Sequence, residues 1–162
     1  MLGVLPQFWK FKTIEGTPLG RANIATENIN EGEIICKFTG PIIDLRQFFE
    51  KYETDGCNVL QIGYDDYIDV IEPYLFFNHS CAPNAGIRNN GILFALEDIE
   101  KGEEIMFDYS TTVDDVIWSM ECKCGQPTCR KVIGDFQTMP HEQKQYYLKK
   151  GAMIKHLMNV YY

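Results

Sequence analysis

Short blocks of apolar residues separated by polar turns fill the first hundred positions, and this pattern predicts strands rather than long helices. Phe8 to Lys12 is an aromatic run, Thr17-Pro18-Leu19-Gly20 reads as a turn, and Asn23 to Thr26 is a second apolar-rich piece. Glu33 to Phe38 predicts a third strand, ended by Gly40-Pro41. Asp44 stands where a helix cap belongs, because Leu45, Phe48, Phe49 and Tyr52 follow at i, i+3, i+4 and i+7. Val59 to Ile62 and Tyr67 to Val70 flank Gly63-Tyr64-Asp65-Asp66 and read as a hairpin. Ile92 to Leu96 and Ile105 to Tyr109 predict two further strands.

The pattern A-x-E-[ND]-I-x-x-G-E occurs twice, at residues 25–33 and 95–103. Two copies do not make a solenoid; they mark one local solution used twice, a strand leaving through an acidic turn with glycine bending the chain into the next strand. Near the end the character changes. Pro140 opens a predicted helix that runs to Lys150 and stops at Gly151, with Lys149 and Lys150 at the negative end of its dipole. Ala152 to Tyr162 predicts a second helical piece, and no low-complexity linker precedes this packed appendage.

Composition bounds the function. The 162 residues are 45% hydrophobic and 13% aromatic, enough for one domain's core and incompatible with global disorder. No apolar run approaches the roughly 20 residues that cross a bilayer. Met1 to Lys12 breaks at Pro6 and Gln7 without a small-residue cleavage signature, so an intracellular chain, cytoplasmic or nuclear, with no membrane partner is expected. Fifteen Lys and Arg against twenty-three Asp and Glu leave a net charge of −8. That sign argues against direct nucleic-acid binding and suits a basic substrate or partner.

Of six cysteines, Cys36 and Cys57 stand alone, whereas Cys122, Cys124 and Cys129 form C-x-C-x4-C. Without an export signal such a cluster argues for metal before disulfide. Three thiolates are one short of a closed tetrahedral zinc site, and Cys81 is the candidate fourth ligand. The alternative is three reduced thiols with Cys81 as a small buried residue. Nearby stand Asn78-His79-Ser80-Cys81-Ala82-Pro83-Asn84 and Gly102-Glu103-Glu104-Ile105-Met106-Phe107-Asp108-Tyr109. Taken alone, Asn78 and His79 are turn formers, and Phe107 and Tyr109 are two side chains on one face of a strand.

Together these segments resemble the SET-domain protein lysine methyltransferase family. N-H-S-C-x-P-N at 78–84, G-E-E-I-x-F-D-Y at 102–109 and the post-SET C-x-C-x4-C-R at 122–130 stand in the family's order, while Leu19-Gly20-Arg21-Ala22 and Phe38-Thr39-Gly40 resemble its two weaker upstream motifs. Leu75 stands where the family often has arginine, Ala22 replaces a second glycine, and Phe38 replaces a tyrosine.

The resemblance implies a mainly β fold of the β-clip/SET type: small curved sheets, a few short helices, and a pseudoknot in which the Tyr109 segment threads the Asn78 segment. It divides the chain into a SET domain over 1–120, a post-SET zinc segment over 121–134 and a C-terminal helical tail over 135–162. It implies lysine methylation in a protein substrate, a histone-like basic tail or another protein, with S-adenosylmethionine as cofactor. Tyr109, Phe107 and Phe38 are the implied catalytic channel. Arg21, Ala22, Phe38, Asn78, His79, Tyr109 and Lys123 are the implied cofactor contacts, those of His79 and Lys123 through backbone. Cys81, Cys122, Cys124 and Cys129 are the implied ligands of a structural zinc, closed to substrate because four thiolates leave no open position. Phe107, lacking a hydroxyl, implies di- or trimethylation. The competing reading is a catalytically inactive, zinc-stapled interaction module of the same fold.

Overall fold

The computed structural model describes residues 9–55, 58–114 and 118–162. Ten short strands form four small antiparallel sheets among the described residues. Strands β1 (Phe11–Thr17) and β2 (Gly20–Ala25) make a hairpin around Pro18-Leu19. Strand β3 (Ile34–Lys37) pairs with β8 (Ile92–Ala95), which also pairs with β7 (Ala85–Arg88). Strand β6 (Asp66–Asp69) lies between β4 (Ile42–Asp44) and β5 (Val59–Gln61), and β9 (Ser119–Glu121) pairs with β10 (Val132–Gly134). The aromatic run expected at Phe8 to Lys12 enters a strand only from Phe11; Phe8 and Cys57 lie outside the described residues.

Helix α1 (Leu45–Asp55) begins where expected. Asp44 Oδ1 accepts from the Gln47 amide at 2.8 Å while Gln47 Oε1 accepts from the Asp44 amide at 3.0 Å, a reciprocal box that satisfies two donors otherwise orphaned at a helix start. Phe48 is buried and stacks on Tyr67 with ring centroids 4.7 Å apart, a burial worth about 1.5–3 kcal/mol. The expected four-residue face is only partly used: Phe49 and Tyr52 remain 42% and 38% exposed. A three-stranded sheet this narrow offers one line of contact to the helix.

The two copies of the internal repeat pair with each other. Ile29 and Ile99 exchange backbone hydrogen bonds of 2.9 and 2.8 Å. The Gly32 amide donates to the Ala95 carbonyl and the Gly102 amide to the Ala25 carbonyl. Asn28 Oδ1 accepts from the Lys101 amide, and Asp98 Oδ1 from the Glu31 amide. Each bond of one copy thus has its counterpart in the other, a local two-fold. Gly32 and Gly102 both sit at positive φ, 84° and 91°, where a side chain would be strained.

The strand expected over Ile105 to Tyr109 forms no ladder. Residues 103–107 run extended between two segments instead: on one side Ile105 donates to the Asn23 carbonyl and the Glu103 carbonyl accepts from Ala25. On the other, Phe107 donates to the Asn78 carbonyl, and the carbonyls of Phe107 and Met106 accept from Ser80 and Ala85. The Asn84 side chain closes the arc, donating to the Glu104 carbonyl at 2.8 Å and accepting from the Met106 amide at 3.0 Å. The 78–85 loop therefore wraps the 104–107 segment, so that Asn78, His79 and Tyr109 meet.

The tail is part of the same core. Helix α2 (His141–Lys150) ends at Gly151 in the left-handed conformation, and α3 (Lys155–Tyr161) follows. Tyr147, Met153, Ile154 and Leu157 are buried in one cluster with Ile87, Leu93 and Ile105. No helix among the described residues is long and apolar enough to cross a membrane.

Candidate functional site

Phe38, Tyr74, Phe77, Phe107 and Tyr109 line a cavity of about 260 Å³ together with Phe48, Tyr52, Val59, Trp118 and Met120. That volume is below the range of about 300–1,000 Å³ typical of pockets that enclose a whole drug-sized ligand. Phe107, on extended backbone, and Tyr109, which opens the 3-10 turn Tyr109–Thr111 after Asp108, both face it, with ring centroids 4.9 Å apart. Phe38 packs against Phe107 at 5.7 Å. It is placed there by its amide bond to the Gly91 carbonyl and by the approach of the next strand at Gly40, where a Cβ would meet the Asp69 carbonyl at 1.7 Å. Among the described lining residues there is no carboxylate, histidine or cysteine.

The Tyr109 hydroxyl donates to the Phe77 carbonyl at 2.9 Å. Its proton is thereby turned away, leaving the oxygen lone pairs for whatever occupies the cavity. Burial, with the Glu104 carboxylate adding to it, pushes its ionisation well above the usual tyrosine range, so the group stays a neutral dipole. Beside it Asn78 Nδ2 donates to Glu104 Oε1 at 2.7 Å and to the Arg21 carbonyl at 3.1 Å. The Arg21 guanidinium lies 3.9 Å from the Phe76 ring centre and pairs with Glu72 at 3.3 Å. A cation, two carboxylates and an amide are thus gathered around Arg21 and Asn78.

Three residues beyond Asn78, Cys81 joins the other clustered cysteines. The sulfurs of Cys81, Cys122, Cys124 and Cys129 all fall within 4.8 Å of one another. Cys81 and Cys122 stand 3.7 Å apart, close to the edge of about 3.8 Å in a tetrahedron with 2.3 Å metal–sulfur bonds and far from a disulfide. The amides of Arg130 and Lys131 donate to Cys81 Sγ and Cys129 Sγ at 3.4 Å each, as suits thiolate charge. The set fits one tetrahedral ion. Cys36 lies apart, buried in β3, where desolvation pushes its thiol ionisation upward.

Asp108 points opposite to its neighbours' rings and is fully buried. Its Oδ1 accepts from Arg130 Nη2 at 2.6 Å and from the Ser110 amide at 3.1 Å; its Oδ2 accepts from the Tyr147 hydroxyl at 3.0 Å. His79 is buried too, and desolvation lowers its ionisation to about 4, against the attraction of Asp108.

The structure brings Phe38, Phe107 and Tyr109 to the cavity and the four cysteines to one point; Arg21 and Asn78 meet each other but do not line the cavity. Ala22 has no exposed surface, so its side chain is outside ligand reach. Lys123 is exposed and pairs with Glu121. Sequence reasoning missed Glu104, Asp108, Arg130 and Tyr147 as parts of the site. The first three sat inside the quoted motifs, where charges set among apolar neighbours call for partners; nothing local marked Tyr147.

The SET domain family profile matches residues 20–110. The chain is 34% identical over 145 residues to "Histone-lysine N-methyltransferase, H3 lysine-36 specific" of Candida albicans, covering 79% of this chain and 17% of that protein. It is 30% identical over 129 residues to "Histone-lysine N-methyltransferase 2B" of Homo sapiens, covering 70% of this chain and 5% of that protein. The chain therefore spans a small part of these relatives' lengths. Its fold is similar to that of KRYPTONITE, solved in complex with mCHG DNA and SAH, at a TM-score of 0.61 and 22% identity, covering 77% of this chain and 29% of that one.

Proposed function

This chain belongs to the SET-domain family, and from that premise we propose that it is a protein lysine methyltransferase using S-adenosylmethionine. The observation that carries the reading is the Tyr109 hydroxyl, its proton held by the Phe77 carbonyl, in the wall of an apolar, aromatic-lined cavity of about 260 Å³. When bound, the cofactor supplies a methyl group activated by a sulfonium charge. Arg21 offers its carboxylate a cation, Glu104 offers its ammonium an acceptor, and the aromatic walls suit a sulfonium.

The residues do the remaining work. A lysine of pKa about 10.4 is neutral only about once in a thousand near pH 7.4. Burial among Phe38, Tyr74, Phe77 and Phe107 disfavours the ammonium form, and the absence of a base among the described lining residues means the proton leaves to solvent before the amine is seated. The narrow channel restricts the nitrogen to few poses, which lowers the entropic part of the barrier. The Tyr109 lone pairs face the centre where positive charge moves, as a dipole that needs no reorganisation.

Phe107 carries no hydroxyl to anchor a water beside the amine, which favours addition of a second and third methyl group. The net charge of −8 favours a basic segment such as a histone tail as substrate. Four thiolates favour a structural zinc that fixes residues 122–130 against the site. The test is transfer of labelled methyl groups onto a lysine peptide array, with mass spectrometry to locate the lysine. Incorporation by wild-type protein and none by Tyr109→Ala supports the reading; calorimetry showing no binding of S-adenosylmethionine speaks for the inactive interaction module.

A further inference from the structure

The His79 side chain faces away from the cavity and has two partners. Its Nδ1 lies 3.2 Å from the Tyr109 amide, and its Nε2 lies 3.3 Å from Cys81 Sγ. A backbone amide can only donate, so Nδ1 must present its lone pair. The ring proton of the neutral imidazole then sits on Nε2 and points at the sulfur. The opposite tautomer would set N–H against N–H at Tyr109. It would gain little from Asp108, whose Oδ1 stands 3.6 Å from Nδ1 and already accepts from Arg130 and Ser110.

We infer that the His79 imidazole is a positioning residue, held as the Nε2–H tautomer, that ties the metal-binding sulfur of Cys81 to the backbone amide of Tyr109. The inference rests on the proposed roles of Tyr109 and the four cysteines. Cys81 receives two donors, the Arg130 amide and the His79 Nε2–H, both of which favour the thiolate a metal requires. From the same ring, the Nδ1 lone pair fixes the start of the Tyr109 turn. The Tyr109 hydroxyl sits on a short lever from that amide, and a displacement of about 1 Å at a reacting centre can cost a hundredfold in rate. Sequence order makes the bridge compact: one residue, between Asn78 and Cys81, contacts the metal cluster and the reacting wall.

The two halves separate by substitution. In His79→Asn the shorter carboxamide can still accept from the Tyr109 amide but cannot reach Cys81; in His79→Gln the longer one can donate to Cys81 but offers no acceptor at the Nδ1 position. Zinc-loaded wild-type protein labelled with nitrogen-15 should show His79 protonated on Nε2 and not on Nδ1. His79→Asn should bind zinc about 10-fold more weakly in chelator competition, the lower end for loss of an outer-shell partner. His79→Gln should hold zinc at wild-type affinity while kcat falls at least 10-fold, with KM for the cofactor within 2-fold. A proton on Nδ1 in the wild type, or zinc affinity and kcat falling in the same proportion in both variants, overturns the bridge. If wild-type protein transfers no methyl group, the tautomer and the zinc competition still decide the bridge, and only the reading of Tyr109 falls. If either variant fails to fold, the wild-type tautomer decides.

Discussion

Tyr147 donates its hydroxyl to Asp108 Oδ2 across 3.0 Å, joining helix α2 to the residue that precedes Tyr109. Burial, and after it the charge of Asp108, keeps that phenol protonated far above the ordinary tyrosine range, so it remains a donor at any working pH. The tail thereby stabilises the turn that carries the site.

Replacing Arg130, whose side chain is 9% exposed against a fully buried carboxylate, should be more costly than replacing Tyr147. Arg130→Leu strands the Asp108 charge and should lower unfolding free energy by about 3–5 kcal/mol, the range for breaking a buried pair. Tyr147→Phe removes one hydrogen bond to a charged group and should cost about 1.5–3 kcal/mol. Urea unfolding of the two variants checks the order; equal, small losses would show Asp108 solvated in solution.

Purified protein should carry about one zinc per chain. Cys124→Ser should release it and expose residues 122–130 to proteolysis, since ligand sets of this kind order their segment only with the metal. Metal analysis and limited digestion read this directly. Fully active wild-type protein free of zinc would end the structural-zinc reading.

Tyr109→Phe keeps the ring packing against Phe107 and His79 and deletes the dipole. Turnover should fall between about 10- and 1,000-fold, as for loss of one preorganised polar group, with cofactor affinity nearly unchanged. In the wild type, kcat/KM should rise about 10-fold per pH unit between pH 7 and 9, because the neutral amine is the reacting form and its free-solution pKa lies near 10.4. No falling limb from Tyr109 should appear below pH 10, since burial and Glu104 raise its ionisation. A flat profile in single-turnover assays would mean that the enzyme supplies a base of its own.

Phe107→Tyr adds a hydroxyl within the aromatic wall, 5.7 Å in ring-centre distance from Phe38. Wild-type protein should proceed to di- or trimethyl-lysine, and the variant should accumulate monomethyl-lysine with less loss of the first transfer. Mass spectrometry after long incubation with excess cofactor distinguishes them; a wild-type enzyme halted at one methyl group refutes the assignment.

What local sequence determined here is what neighbouring residues can settle among themselves. The Asp44 cap, the hairpin around Gly63, the stop at Gly151 and the alternation that turns Phe107 and Tyr109 one way and Asp108 the other all follow from steric and hydrogen-bond rules within a few residues. The four thiols were legible because metal ligation admits few residue types and spacings. Tertiary structure alone decided three things. Ile105 to Tyr109 read as a strand, yet the amides and carbonyls of residues 103–107 are taken by two distant segments, so no ladder forms there. The twin repeats pair with each other across 70 residues of sequence, a relation that similarity suggests but that only backbone complementarity can enforce. The partners of Asp108, 22 and 39 residues away, are chosen by burial: a carboxylate with no water must find its donors wherever the fold delivers them.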